Sequence, residues 1–268
     1  MGDLDRVARV FRIINIDADP GDDGGNFSTA QIRILKGGGN NRVLSYLNIG
    51  SCERFRTYWS TAPAGIVPCG ANREAWLGRY EGYPDETWMN PANAAYDRLV
   101  LEHVAPRLAA RGVDGFYLDN LEVVEHSDPT KEGACSSQCR QGGLDLVRKL
   151  RQLFPEMLIV MQNATGDVTR LGSSGGVAFS TLLDGVVHEE VYGPTPDPIA
   201  ERQLLLWRQL QVSSRMDHPI FIGVEDYVGS CSNQNAARAV YARSRTHGFS
   251  PYASDASGSQ KVVCFWPF

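Results

Sequence analysis

Apolar runs rich in β-branched residues recur along the chain at residues 10–16, 43–49, 115–118, 157–161, 183–188, 219–224 and 261–266, and each gives way to polar residues or glycine. Runs this short, apolar on both alternating faces, predict the buried strands of a parallel sheet rather than the half-exposed strands of an antiparallel one. Stretches with helical spacing lie between many of them. The clearest opens at Asn90-Pro91, a capping side chain before a proline at the first helical position; it carries Tyr96, Leu99, Val100, Val104 and Leu108 on one face and stops at Gly112. Further helices are expected over about residues 144–154, 199–212 and 236–247, the last stopped by Gly248. Gly37-Gly38-Gly39 precedes a strand rather than a helix, the wrong order for a dinucleotide-binding turn, so a plain turn is expected there.

Strand and helix alternating over this length imply a parallel sheet, either closed as a barrel or open and doubly wound. The polar residues favour an α/β fold of the (β/α)8 TIM-like barrel type. Asp17, Asn48, Asp119-Asn120, Gln162-Asn163, Glu189-Glu190 and Glu225-Asp226 each follow a different expected strand. Barrel enzymes assemble their sites from many strand ends, whereas an open sheet converges on one crossover point. The strand count stays open: residues 76–78 supply a short third strand, or residues 261–266 complete the barrel instead. A length of 268 residues suits a single barrel domain over 1–268.

Hydrophobic (43%) and charged (21%) fractions are ordinary for a soluble protein. No apolar run nears the roughly 18 residues of a membrane span, so membrane insertion is not expected. A net charge of −5 without a Lys/Arg cluster argues against a nucleic-acid partner, because phosphates are bound through such clusters. The six cysteines, Cys52, Cys69, Cys135, Cys139, Cys231 and Cys264, form an even, dispersed set. Such a set predicts disulfides and a secreted protein. Cys135 and Cys139 have half of a zinc knuckle's spacing, but no second close Cys or His pair accompanies them, which favours a local disulfide. The opening Met1-Gly2-Asp3-Leu4-Asp5 has neither the basic nor the apolar region of a signal peptide, so a secreted protein would here be read trimmed of its leader. A monomer without cofactor is expected.

Two carboxylates carry the chemistry. In Gly115-Phe116-Tyr117-Leu118-Asp119-Asn120 a strand ends in an acid that points into a barrel mouth, while Asp114, ahead of the strand, only shapes a turn. In Gly185-Val186-Val187-His188-Glu189-Glu190 two adjacent side chains face opposite ways, so one of them faces Asp119, and Glu189 is the one assigned. Either acid alone suits capping or surface duty. As a pair they suit acetal hydrolysis, where the leaving oxygen needs a proton and the charge developing at the sugar carbon needs a carboxylate. Substrate contacts are expected from the strand-end residues Asp17, Asn48, Asn120, Asn163 and Asp226, and from the ring faces of Tyr46, Trp76, Tyr192 and Tyr227. No Gly-x-Ser-x-Gly elbow supports a serine hydrolase, and no His-Glu-x-x-His motif supplies metal ligands, so no metal site is expected. The alternatives are a metal-dependent barrel hydrolase and a sugar-binding barrel whose carboxylates do not converge.

Tyr46-Leu47-Asn48-Ile49-Gly50 with Glu53 and Arg56-Thr57-Tyr58-Trp59, the Gly115 to Asn120 strand end, and Asp184-Gly185-Val186-Val187-His188-Glu189 together resemble glycoside hydrolase family 114. The resemblance runs from about Val10 to Tyr227. It implies an endo-α-1,4-polygalactosaminidase on a TIM-like barrel, acting on partly deacetylated, cationic galactosamine polymers of biofilms. It also implies Asp119 as nucleophile and Glu189 as acid/base in a retaining mechanism. Cationic sugars would match the acidic residues Asp17, Asp19, Glu53, Glu225 and Asp226. One departure stands out: family members carry a further strand before the one ending in Asp17, so either the start of the barrel is missing or the final run takes its place.

Overall fold

The computed structural model describes residues 3–21, 26–210, 220–256 and 262–268. Numbered along the chain, its strands are β1 (Ile13–Ile16), β2 (Arg42–Asn48), β3 (Ser51–Glu53), β4 (Trp76–Arg79), β5 (Glu86–Met89), β6 (Gly115–Asp119), β7 (Leu158–Gln162), β8 (Ser173–Ser174), β9 (Val177–Ala178), β10 (Gly185–Glu189), β11 (Phe221–Tyr227) and β12 (Ser250–Ser254). Seven of them form one parallel sheet in the order β1-β2-β6-β7-β10-β11-β12, curled into a half-barrel with helices between the strands, as in a (β/α)8 TIM-like barrel. The sheet is apolar on both faces because both are covered. Outward residues such as Phe116, Leu118, Ile159, Val186 and Ile222 pack under helical Leu146, Leu150, Leu204 and Trp207. Inward, Leu44, Tyr117, Val160 and Val187 fill the barrel. Each such side chain contributes roughly 1.5–3 kcal/mol by leaving water.

The lower end of the sheet is tied by ion pairs. Asp114 accepts from the Val43 amide at 2.9 Å and pairs with Lys36 at 2.7 Å, and Asp184 accepts from the Ile159 amide at 2.8 Å and pairs with Arg151 at 2.5 Å. Asp114 therefore does not shape a local turn but ties the start of β6 to the start of β2 and to Lys36. At the upper end, the helix Pro198–Gln209 is pinned by the Trp207 indole, which donates to the Thr165 carbonyl at 2.9 Å.

Several boundaries differ from the sequence reading. Val10 closes a helix, Leu4–Val10, capped by Asp3, and the strand begins only at Ile13. The long helix starts after Asn93, whose side chain accepts from the Ala95 and Tyr96 amides, while Asn90 caps only a local turn by accepting from the Ala92 amide. Its middle, Val100–Val104, is wound as a π-helix just before Pro106, whose missing N–H breaks the regular ladder. Residues 76–78 do form a strand, but in a separate antiparallel sheet of order β3-β5-β4 beside the barrel mouth.

The last barrel strand is not 261–266 but Ser250–Ser254, which carries Pro251. Among the described residues β12 pairs only with β11, and an edge strand tolerates a proline's missing donor. Lys261 lies outside the described residues, as do Pro219 of the expected 219–224 strand and the end of the expected 199–212 helix beyond residue 210. Residues 262–266 form no strand. They run past the edges of β1 and β12, which are not hydrogen-bonded to each other among the described residues. Phe265 sits 5.7 Å from Phe11, the Cys264 amide donates to the Tyr252 hydroxyl at 3.0 Å, and the Trp266 indole donates to the Ala253 carbonyl at 2.8 Å.

All six cysteines are paired, as Cys52–Cys69, Cys135–Cys139 and Cys231–Cys264, which bears out the even-set reading and the local loop at Cys135. Thiol titration of denatured, unreduced protein is expected to find no free thiol; a majority of reactive thiols would remove the case for an oxidising compartment. No described helix is long and apolar enough to cross a membrane.

Candidate active site

Asp119 ends β6, and the backbone then turns left-handed at Asn120 (φ 63°). The Asn120 amide group donates to Ser51 Oγ at 2.9 Å and Glu86 Oε2 at 3.3 Å, so the turn is tied to the small antiparallel sheet. The close approach depends on Gly50, where a Cβ would stand 1.7 Å from the Asn120 carbonyl oxygen. Burial, and next the charge of Glu189, push the Asp119 carboxyl up to about 7, against hydrogen bonds from the Tyr46 side chain and the Asn120 backbone.

Glu189 ends β10 and is gripped on both oxygens. Asn163 Nδ2 donates to Oε2 at 2.8 Å, the Tyr227 hydroxyl donates to Oε1, and Asn163 Oδ1 accepts from the Glu189 amide at 3.0 Å. Glu190 follows with φ 55°; its side chain is exposed and its amide donates to the Glu225 carbonyl at 2.8 Å. The two adjacent glutamates are thus separated, one into the barrel mouth and one towards solvent. Asn120, Asn163 and Glu190 are the positive-φ residues other than glycine among those described, and each directly follows a barrel strand. Asn adopts this conformation readily and Glu rarely, and the chain is turned sharply in this way after three strands at the same end of the sheet.

The other expected contacts divide. Asp17 is held by Arg56 Nη1 at 2.8 Å; the same guanidinium meets Glu53 Oε2 at 2.5 Å through Nε, and Glu53 accepts from the Tyr46 hydroxyl at 3.2 Å. This wall carries Tyr46 towards Asp119. Asn48 is turned into its own loop, accepting from the Ser51 amide and donating to Ser51 Oγ, each at 2.8 Å. Trp76 stands apart on β4, its indole donating to the Cys69 carbonyl at 2.9 Å and its ring stacked 5.6 Å from Trp59. Tyr192 lies under Arg243, 4.6 Å from ring to guanidinium, against His247. Asp226 is fully buried and accepts from the Tyr192 and Gly193 amides at 2.7 Å each, which shapes the loop after β10.

Three further carboxylates converge on the same mouth. Glu225, inward on β11 and in register with Glu189, is pushed up to about 8 by burial and by the Glu189 charge. Glu122, three residues past Asp119, is likewise pushed up to about 8 by burial and the Asp119 charge, and accepts from the Tyr80 hydroxyl at 3.3 Å. Glu86 arrives from β5 and accepts from Ser51 Oγ at 2.7 Å; burial raises it as well. Glu122 was available to a reader of the sequence as an acid just beyond a strand-end acid, whereas nothing local marks Glu86. Among the described residues none of Asp119, Glu86, Glu122 or Glu225 enters an ion pair, and no three His, Cys, Asp or Glu side chains are grouped as metal ligands.

A mouth rich in buried carboxylates on a parallel barrel agrees with the similarities of the chain. An uncharacterized protein of Thermotoga maritima is 28% identical, the match covering 91% of this chain and 74% of that one. The glycoside hydrolase domain of PelA from Pseudomonas aeruginosa superposes with a TM-score of 0.70 at 18% identity, covering 98% of this chain and 94% of that one. Ega3 of Aspergillus fumigatus, solved in complex with galactosamine, superposes with a TM-score of 0.66 at 14% identity, covering 91% and 84%. At such identities these two structures speak for the fold. The sequence profile of glycoside-hydrolase family GH114 matches residues 2–266, nearly the whole length, and the chain belongs to that family.

Proposed function

We propose that this protein is an exported, endo-acting glycoside hydrolase that cleaves α-1,4-linked, galactosamine-containing exopolysaccharide with Asp119 as nucleophile and Glu189 as acid/base. The observation that carries the reading is the excess of carboxylates at the mouth. Asp119, Glu86, Glu122 and Glu225 have no ion-pair partner among the described residues, and burial raises each of them. Such a site is relieved by a bound cation, and a deacetylated aminosugar supplies one as its ammonium group. The three disulfides support export, and the galactosamine bound by Ega3 supports the sugar.

In the first step an Asp119 oxygen bonds to the anomeric carbon while the glycosidic C–O bond breaks, and the leaving oxygen takes the proton of Glu189. In the second step water attacks the same carbon, gives its proton to Glu189 and releases Asp119. Asn163 and Tyr227, which hold the two Glu189 oxygens, keep that carboxyl in one orientation through both steps. The first step starts with Asp119 ionised and the proton shared by the pair on Glu189; a cationic sugar beside Asp119 favours that distribution, because it stabilises the charge on Asp119.

The purified protein is expected to shorten a partly deacetylated α-1,4-galactosamine polymer from within, at a rate that EDTA leaves unchanged. Chelator-sensitive cleavage would point to a metal-dependent hydrolase. Failure to cut any aminosugar polymer would point to a sugar-binding barrel.

A further inference from the structure

The hairpin between β4 and β5 carries a feature that the two-carboxylate mechanism leaves unused. Its turn is held by short-range backbone bonds: the Tyr83 amide donates to the Tyr80 carbonyl at 3.3 Å, and the Glu86 amide donates to the Tyr83 carbonyl at 2.9 Å. Gly82 takes φ +87° between them, and the Arg54 amide donates to the Asp85 carbonyl at 2.7 Å from outside the hairpin. On this tightly held turn Tyr83 is 58% exposed. It stands edge-on to Tyr80 at 5.0 Å, and Tyr80 stacks on Trp88 at 4.0 Å and 17°.

Two bonds fasten this aromatic ladder to the catalytic strand end. The Tyr80 hydroxyl donates to Glu122, and the Asn120 side chain donates to Glu86. The Tyr83 phenol is raised first by burial and then by the charges of Glu189, Glu86 and Asp119 at the mouth and of the solvent-facing Glu190. The hairpin that presents this exposed ring is thus bonded, through Tyr80 and Glu86, to the residues that directly follow Asp119.

We propose that Tyr83, propped by Tyr80 and Trp88 and flanked by Glu86, forms a binding subsite for a protonated aminosugar unit next to the bond being cut. The proposal rests on the function proposed above and names the surface that would select its substrate. A rigid ring face receives the apolar face of a pyranose at little cost in side-chain freedom. It attracts an ammonium group through its quadrupole, while the Glu86 carboxylate supplies the opposite charge. A neutral N-acetylated unit keeps the stacking and loses the attraction.

Isothermal titration with an α-1,4-galactosamine oligomer, on protein carrying Asp119→Asn to prevent turnover, tests the subsite. Tyr83→Ala is expected to weaken binding about tenfold, as loss of a partly desolvated cation–π contact does. Tyr83→Phe should bind like its parent, and the effect of Tyr83→Ala should shrink on a fully N-acetylated oligomer. The exposed position leaves the fold intact, which an unchanged Tm would verify. Unchanged affinity in Tyr83→Ala overturns the proposal, as does an equal loss in the Ala and Phe variants, because the hydroxyl and not the ring would then be responsible. Absence of oligomer binding to the parent overturns the subsite and the function together. Ring-dependent binding by a protein that, with Asp119 restored, cuts no polymer leaves the subsite standing and removes the hydrolase reading.

Discussion

Asp119→Asn is expected to lower kcat on a galactosamine polymer by at least about 10⁴-fold while substrate still binds, the scale on which loss of a nucleophile registers. The amide keeps the shape of the carboxyl group and cannot form the glycosyl ester. The same substitution should stabilise the protein at alkaline pH. The folded-state carboxyl titrates near 7, well above the value of about 3.9 for an unfolded Asp. A group raised in this way contributes its stability in full below the unfolded value and loses it as the pH rises through about 7. At pH 8 the native protein therefore carries a buried charge that Asn removes. Tm at pH 8 should rise by about 2–4 °C, the shift that roughly 1 kcal/mol gives in a protein of this size, and the gain should vanish below about pH 4. Turnover within about tenfold of the parent would end the nucleophile assignment. A lower Tm at pH 8 would mean that Asp119 holds the fold rather than straining it.

Glu189→Gln is the second large effect, a loss of about 10²- to 10⁴-fold on the polymer, as for removal of a general acid. The variant should regain the first step on an aryl galactosaminide whose leaving group needs no proton. Glu190→Gln should behave like the parent, since its exposed side chain follows a left-handed residue conformation that turns it from the mouth. Equal damage in both glutamine variants would remove Glu189 from the acid/base role. The retaining mechanism further requires the two carboxyl groups to stand roughly 5–5.5 Å apart and the first-formed reducing end to be the α-anomer. A β-anomer in early proton NMR spectra would overturn the nucleophile role of Asp119 even if both acids proved essential.

Much of the barrel was legible along the chain. A strand such as Ile159–Met161 or Val186–Val187 lies between helices outside and packed side chains inside, so burial demands apolar residues at every position, and the run stands out against its polar surroundings. Its end is legible for the same reason, and Asp119 and Glu189 appear as the first acids after apolar residues. The errors fall where burial is one-sided. Val10 closes a helix that packs on the sheet, Ser250–Ser254 is an edge strand with a proline, and the apolar 262–266 segment crosses the edges of the sheet without joining it.

The sequence by itself determined the parallel barrel, the pairing of the cysteines as a set, and the two strand-end carboxylates, because each follows from local burial or from counting. Which neighbours those carboxylates have was decided only by the tertiary structure. Trp76, Tyr192 and Asp226 carry the right chemistry and are drawn into other contacts, whereas Glu86 is brought beside the strand end that bears Asp119 from a distant hairpin, through bonds with Ser51 and Asn120. Periodicity reports which side of an element is buried. It does not report which distant loop folds over that side, since the contact is made by backbone turns, at Gly50, Gly82 and Asn120, whose direction no run of apolar residues encodes.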